Sequence, residues 1–303
     1  MSMNTTAIIG AGLAGLTIAR ALTAAGRAVT LFDKGAKPGG RLAARRSAGF
    51  TFNHGCQFAS PRDTNFRALL EETGAQPWPQ AGTHRLSGVP DMASIASNLA
   101  QTLTIQQNTR ISAIQKTPDG WALTYGTATA TFTTLILAIP APQAAGLLPD
   151  HPFITALNTV HLAPCWAVML GYHETVSGPD LLRPAQNPLA WIARETSRPS
   201  SPNATTAYTL HATPEWSTTH LEATAETVLA TLTAAFAALT GITTPPTYAA
   251  AHRWRFALAD RPLGEPCLWD PRTRLGLAGD WCLDGRLEAA YLSGSHLAEL
   301  ILA

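Results

Sequence analysis

At 303 residues, 46% hydrophobic and 14% charged, the chain is long enough to bury a full core, and its length allows two domains or one with an insertion. A net charge of +1 with no basic stripe or acidic run gives nucleic acid and anionic membrane surfaces no purchase. No stretch reaches the roughly 18 to 20 apolar residues of a spanning helix, and the apolar N-terminus lacks a basic leader, so the expectation is a cytoplasmic protein without a membrane segment.

The chain opens on a strand, Thr6-Ala-Ile-Ile, that breaks into Gly10-Ala11-Gly12-Leu13-Ala14-Gly15 and restarts as a helix ending near Gly26. This is the pattern of a dinucleotide-phosphate cradle. Gly10 permits the tight turn, Gly12 admits a pyrophosphate close to the backbone, and Gly15 lets helix and strand pack closely. A second apolar run, Val29-Thr-Leu-Phe32, ends in Asp33, about 20 residues past the glycines, where an acid binds a ribose hydroxyl. These features suit NAD and FAD equally.

Lys34 and the loop Pro38-Gly39-Gly40-Arg41 come next, and a nicotinamide-binding Rossmann unit does not need them. Paired glycines beside a forked donor read as a second phosphate contact, with Arg41 neutralising charge. A short strand at Gly49–Phe52 leads into His54-Gly55-Cys56-Gln57-Phe58 and a helix through Phe66, Leu69 and Leu70. Reactive groups favour such strand-to-loop edges. His54, a lone histidine beside glycine, reads as structural, whereas Gln57 and Phe58 read as contacts to flavin or substrate.

Residues 76–92 form an irregular crossing, followed by a helix from Met92, the stretch Arg110-Ile111, and a β-meander turning at Asp119-Gly120. A buried strand at 135–139 stops at Pro140. Beyond 150, prolines separate short strands near 166–172, 190–194 and 206–211, with a Pro/Ser loop over 197–203. Thr219 and Glu222 have capping-box spacing ahead of a helix that stops at Gly241. The strand-like run Ala251–Ala257 carries His252, Arg253 and Trp254, candidate walls of a substrate pocket. Leu275–Leu277 then leads to Gly279-Asp280, a carboxylate placed for a ribitol or ribose hydroxyl. A last helix follows Arg286 with Leu287, Ala289 and Ala290 in its first turns, small enough for a flat ring to approach a positive dipole end. Cys56, Cys165, Cys267 and Cys282 form no C-x-x-C pair, so neither a redox dithiol nor a metal site is expected.

Several blocks are more particular than the glycine motif: Gly39-Gly40-Arg41-Leu-Ala-Ala-Arg45-Arg46, His54–Phe58, Pro164–Met169, Thr213–Ser217, His252–Ala257 and Leu277–Leu283. On these the chain resembles the bacterial renalase-like flavoproteins, in the amine-oxidase-like branch of the glutathione-reductase-type FAD fold. The resemblance implies an α/β fold: a Rossmann-like FAD-binding domain (1–75, 93–150 and 265–303) with an inserted β-meander, plus a mixed-sheet substrate domain (76–92 and 151–264). It implies non-covalent FAD, since no cysteine occupies 289–293 where covalent relatives attach the ring. Its cofactor contacts would be Gly10, Gly12, Leu13, Ala14, Gly15, Asp33, Lys34, Gly40, Arg41, Gln57, Phe58, Ile111, Gly279, Asp280, Arg286, Leu287, Ala289 and Ala290. The implied reaction is hydride transfer from 2- or 6-dihydro-NAD(P) to flavin N5, with reoxidation by dioxygen to hydrogen peroxide, and with Gln57, His252, Arg253 and Trp254 about the substrate. A flavin amine oxidase is the alternative enzyme. Amine oxidases of this fold commonly place a lysine beside N5, yet the only lysines here are Lys34, Lys37 and Lys116. A flavin-binding sensor or partner-binding protein without turnover is the alternative that is not an enzyme.

Overall fold

The computed structural model describes residues 5–185, 188–202 and 204–303. It forms two compact units, one of Met1–Gly40, Ala96–Leu162 and Ala259–Ala303, the other of Arg41–Ile95 and Ala163–Leu258.

The first unit holds a six-stranded sheet in the order Leu268–Asp270, Leu275–Leu277, Thr134–Leu137, Thr5–Ile9, Ala28–Phe32, Ile105–Gln106. Every pair is parallel except the Leu268–Asp270 edge. Ile8, Leu31, Leu135, Ile136 and Leu137 are fully buried, the continuous apolar runs that a sheet covered on both faces requires. Parallel strands bring their carboxyl ends to one edge. Gly10, Asp33, Ala138 and Gly279-Asp280 all follow strands there, the edge where ligands bind in doubly wound folds. The expected meander is present as Ile111–Thr117, Gly120–Tyr125 and Ala128–Phe132, antiparallel throughout. Phe32 packs on the rings of Tyr125 and Phe132 at 5.4 and 5.7 Å.

The second unit is built on a sheet ordered Leu181–Leu182, Leu189–Arg194, Ala207–Ala212, His161–Gly171, Tyr248–Arg261. Side chains alternate between its faces. One face carries Val168, Leu170, Ile192, Tyr208 and Leu210 against Val228, Leu232 and Phe236 of the helix Ala225–Thr240. On the opposite face, Met169 and Ala207 pack on Phe50 and Phe52. Those phenylalanines belong to the hairpin Arg45–Ser47/Phe50–Phe52. That packing accounts for 41–75, which the sequence groups with the FAD-binding stretch, lying in the second unit; 93–95 also lies there, while 151–162 and 259–264 lie in the first.

The helix before Gly241 starts later than its capping-box spacing suggests. Thr224 is the N-cap and accepts from the Thr227 N–H, and Gly241 closes the helix at φ +74°. Thr219 instead ends a separate short helix, Pro214–Thr219, capped by Thr213. Of the Pro/Ser loop expected over 197–203, Asn203 lies outside the described residues. No described helix is long and apolar enough to cross a membrane.

Candidate functional site

In the first unit, the three opening glycines have different reasons to be glycine. Gly10 sits at φ +105°, and a Cβ there would lie 2.4 Å from the Ala138 carbonyl oxygen. At Gly15 a Cβ would meet the Gly10 carbonyl oxygen at 2.1 Å. Both are demanded by the fold. Gly12 is not: its φ is −74° and a Cβ would meet nothing within 4 Å. The space above it is what a phosphate needs.

The helices after Gly12 and after Arg286, Leu13–Ala24 and Leu287–Leu302, have no side-chain cap at their N-termini. Thr64–Glu72, Pro214–Thr219 and Ala225–Thr240 are each capped by an Asp or Thr side chain. Uncapped first-turn N–H groups beside an open glycine suit an anion, so the residues present fit a dinucleotide pyrophosphate. Leu13, Ala14, Ala289 and Ala290 are buried in these first turns, and Ile111 is buried at the start of the meander.

Asp33 has a structural task that the sequence did not disclose. Its Oδ2 accepts from the Ala11 N–H and its Oδ1 from the Gly35 N–H, both at 2.7 Å, so it fastens the glycine loop. Each oxygen keeps a second lone pair for a ribose hydroxyl. Lys34 and Gly40 are exposed. Asp280 is buried in the turn Asp280–Cys282, and the Gly279 N–H donates to Ser293 Oγ at 3.0 Å, tying the strand end to the last helix. Arg286 is held by Asp284 at 2.7 Å and lies 3.3 Å from the buried Glu288 carboxylate. Trp281 is core: it is 1% exposed and donates to the Ile139 carbonyl.

In the second unit, the sheet face opposite the helix carries Trp191, His211, His252 and Trp254. Trp254 stacks on the His54 ring at 5.3 Å, and His252 meets His54 edge-on at 4.8 Å. The Trp254 Nε1–H and the His211 Nε2–H both donate to the His54 carbonyl oxygen, at 2.8 and 3.1 Å. His54 itself is 5% exposed, and its Nδ1 is buried without a hydrogen-bond partner. Burial first, then the positive potential of His252 and Arg45, pushes the His54 imidazole down to about 3. Burial and Arg45 lower His252 as well, and burial lowers His211 to about 4. The cluster is neutral at pH 7. The sequence treats His54 as structural; its unpartnered nitrogen makes it a candidate ligand contact.

The depressed His54 value ties stability to pH. The unfolded chain takes up the proton near 6.5 while the folded chain does not, so stability present above that value is lost as pH falls toward 3. From pH 7 to pH 5 this amounts to about 2 kcal/mol. Urea unfolding at the two pH values should show it, and His54→Gln should flatten the slope. An unchanged slope in the variant would remove His54 as its source.

Four further sequence candidates, Arg253, Gln57, Phe58 and Arg41, lie in the second unit. Arg253 alternates to the helix-covered face, where it donates to the Leu221 carbonyl at 2.6 Å and pairs with Glu222 at 2.8 Å, away from the imidazoles. Gln57, expected to touch flavin or substrate, is consumed by its own protein. Its Nε2 donates to the Asn53 carbonyl, and its Oε1 accepts from Trp191 Nε1 and Arg198 Nη2 at 2.9 and 2.7 Å. Phe58 lies between the Arg85 guanidinium at 4.2 Å and the Trp191 ring at 5.4 Å. Arg41, expected at a pyrophosphate, donates through Nη1 to the Ala257 carbonyl at 3.0 Å.

Sequence reasoning missed the network that holds Gln57. Glu195 and Arg198 form a fully buried ion pair at 2.6 Å. Glu195 also accepts from the Asn53 N–H at 3.0 Å, Asn53 Nδ2 at 2.8 Å and the Thr209 hydroxyl. Charges three residues apart in a Pro/Ser-rich stretch of a weakly charged chain were the available signal.

A Rossmann-type parallel sheet with an open cradle at its carboxyl edge and an inserted meander defines a dinucleotide-binding fold. Residues 8–73 match the model of an NAD(P)-binding Rossmann-like domain, and residues 81–302 match that of the flavin containing amine oxidoreductases. The chain belongs to the flavin-containing amine oxidase family, and FAD is its cofactor. It is 40% identical over 68 residues to a 4,4'-diapophytoene desaturase of Staphylococcus haemolyticus, spanning 22% of this chain and 13% of that one. It is 39% identical over 69 residues to the putrescine oxidase of Kocuria rosea, spanning 23% and 14%. The chain thus matches only a small part of the length of these curated relatives. A solved structure provisionally assigned as a protoporphyrinogen oxidase, from Exiguobacterium, superimposes with a TM-score of 0.80 at 16% identity, over 99% of both chains. Putrescine-bound putrescine oxidase gives 0.75 at 15%, also over 99% of both. The likeness to these structures is one of fold.

Proposed function

We propose that this chain is an FAD-dependent oxidase of isomeric dihydronicotinamide nucleotides, 2- or 6-dihydro-NAD(P), with the flavin held non-covalently. Bound FAD supplies a hydride acceptor that dioxygen can reoxidise, with release of hydrogen peroxide. On this reading the cradle at Gly12, the uncapped helix starts, Asp33 and Asp280 hold the cofactor, and the His54, His252 and Trp254 rings orient the substrate.

The observation that carries the reading is the charge pattern of the second unit. Its buried carboxylates, Glu195 and Asp91, are each taken by an arginine, Arg198 and Arg46. Arg45 is the cation facing His54 and His252. All three lysines of the chain, Lys34, Lys37 and Lys116, lie in the first unit. A primary amine arrives as a cation and must lose a proton, which neutral imidazoles under an arginine's potential do not favour. A dihydronicotinamide ring is uncharged and gives up its hydride without prior deprotonation. It needs only to be held within about 3–3.5 Å of the acceptor, a task for aromatic and polar walls.

Anaerobic mixing of the FAD-loaded protein with dihydronicotinamide isomers should bleach the flavin rapidly. The reading fails if no isomer does so. Family membership favours amine oxidation as the second reading, and rapid bleaching by a primary amine with all isomers inert would establish it. Asp280→Ala should weaken FAD binding about tenfold or more, the cost of losing a charged hydrogen-bond partner. The FAD-to-protein absorbance ratio of the purified variant measures this, and full retention would place the ribitol contact elsewhere.

A further inference from the structure

Among the described residues the Arg45 side chain makes no hydrogen bond and no ion pair, although it is only partly exposed in a chain whose other half-buried arginines are mostly engaged. It opens the hairpin strand Arg45–Ser47 and is opposite Phe52, the last residue of the partner strand, and His54 lies two residues beyond that strand's end, close enough to feel the Arg45 charge. Its neighbour Arg46 points the other way, to Asp91. On the Arg45 side stand the unpartnered Nδ1 of a 5%-exposed His54, the edge of His252 at 4.8 Å and the stacked Trp254. A buried polar atom without a partner in a native fold calls for an explanation, and a group that binds there is one.

We propose that Arg45 and His54 Nδ1, with the Trp254 ring beside them, form a recognition point for a phosphate group of the substrate. The proposal rests on the dihydronicotinamide reading above and adds to it a preference for phosphate-bearing nucleotides over the uncharged riboside. A guanidinium supplies forked donors matched to phosphate oxygens, and a neutral imidazole nitrogen bearing its proton adds one more. Besides burial, the groups acting on His54 are His252, Arg45, the Phe52 backbone through a hydrogen bond, and His211, and on His252 Arg45, so no carboxylate is among them to compete with the incoming anion. The same guanidinium repels a cationic amine.

The test compares FAD-loaded wild type, Arg45→Gln and Arg45→Lys. Each is assayed with a dihydronicotinamide mononucleotide isomer and with the matching riboside, which lacks the phosphate. Binding of oxidised nicotinamide mononucleotide is followed separately through the flavin absorbance spectrum. In wild type the mononucleotide should show a KM at least about tenfold below the riboside's, with added KCl eroding the gap. Arg45→Gln should abolish the gap while leaving the riboside unchanged, and Arg45→Lys should restore part of it. Equal KM values in wild type, or an equal loss for both compounds in Arg45→Gln, would overturn the proposal. Loss of FAD from Arg45→Gln would overturn it too, by assigning Arg45 to the cofactor. If neither compound bleaches the flavin, the dihydronicotinamide reading is the one that fails. The spectral titration still decides for Arg45: mononucleotide binding weakened about tenfold in Arg45→Gln supports the anion site, and unchanged binding removes it.

Discussion

Replacing Arg198 by methionine should lower the unfolding free energy by about 3–5 kcal/mol, the cost of stranding one member of a buried ion pair. Arg198 is 4% exposed and every face of its guanidinium is used. Nε donates to Glu195 at 2.6 Å, Nη1 to the Gln57 carbonyl at 2.7 Å, and Nη2 to Gln57 Oε1 at 2.7 Å, while the plane lies 4.0 Å over the Trp78 ring. Methionine fills the volume and keeps the contact with Trp78, but it removes the donor to the Gln57 carbonyl and leaves Gln57 Oε1 with Trp191 Nε1 alone. Glu195 keeps the Asn53 N–H, the Asn53 amide and the Thr209 hydroxyl, so its charge is not left bare and the loss should fall in the lower half of the range. Urea unfolding of the FAD-loaded protein measures the effect. The pair Glu195→Gln/Arg198→Met should lose less than the sum of the single changes, because removing both charges removes the stranded one. A loss below about 1 kcal/mol for Arg198→Met would show that water or a rearranged Asn53 replaces the guanidinium. The consequence for function runs through Asn53 and Gln57, which bracket His54, so faster amide exchange at 53–57 should accompany the loss.

That network also shows where the sequence stops being informative. The Rossmann half was readable because its requirements are local: glycines, a strand, a helix and an acid follow one another within about 25 residues. The meander was equally readable from alternation and the Asp119-Gly120 turn. Gln57 stood out in the sequence as a free polar contact, and the structure engages its amide internally. Its partners Trp191 and Arg198 come from 134 and 141 residues away, and no local pattern reveals that they use up its amide. Arg253 and His252 are adjacent in the chain, and only the register of the Tyr248–Arg261 strand decides which of them faces the imidazoles. The late start of the helix after Thr224 has the same origin, since Thr213, Thr219 and Thr224 are all competent caps and tertiary packing chose among them.

Gly12→Ala should weaken FAD binding by about 10–100-fold and leave the FAD-free protein about as stable as before. The first half follows from crowding: a methyl group added where a bound phosphate closes on the backbone acts as overpacking, at about 1–3 kcal/mol. The second half follows from the free geometry. Gly12 has φ −74° and ψ 178°, which alanine adopts without strain, and its Cβ would touch no protein atom within 4 Å. Alanine is a poorer N-cap than glycine by a few tenths of a kcal/mol, and a less flexible unfolded chain offsets that by a similar amount. Gly15→Ala is the control, because its Cβ would sit 2.1 Å from the Gly10 carbonyl oxygen and must disturb the strand–helix turn whether or not FAD is present. Thermal unfolding with and without added FAD separates the two variants. Gly12→Ala should melt like wild type without FAD and gain less from it, whereas Gly15→Ala should melt early in both conditions. If Gly12→Ala bound FAD with wild-type affinity, the open space above Gly12 would not be where the pyrophosphate lies. The cradle would then have to be sought at another uncapped helix start, such as the one beside Arg286 or the one at Pro140.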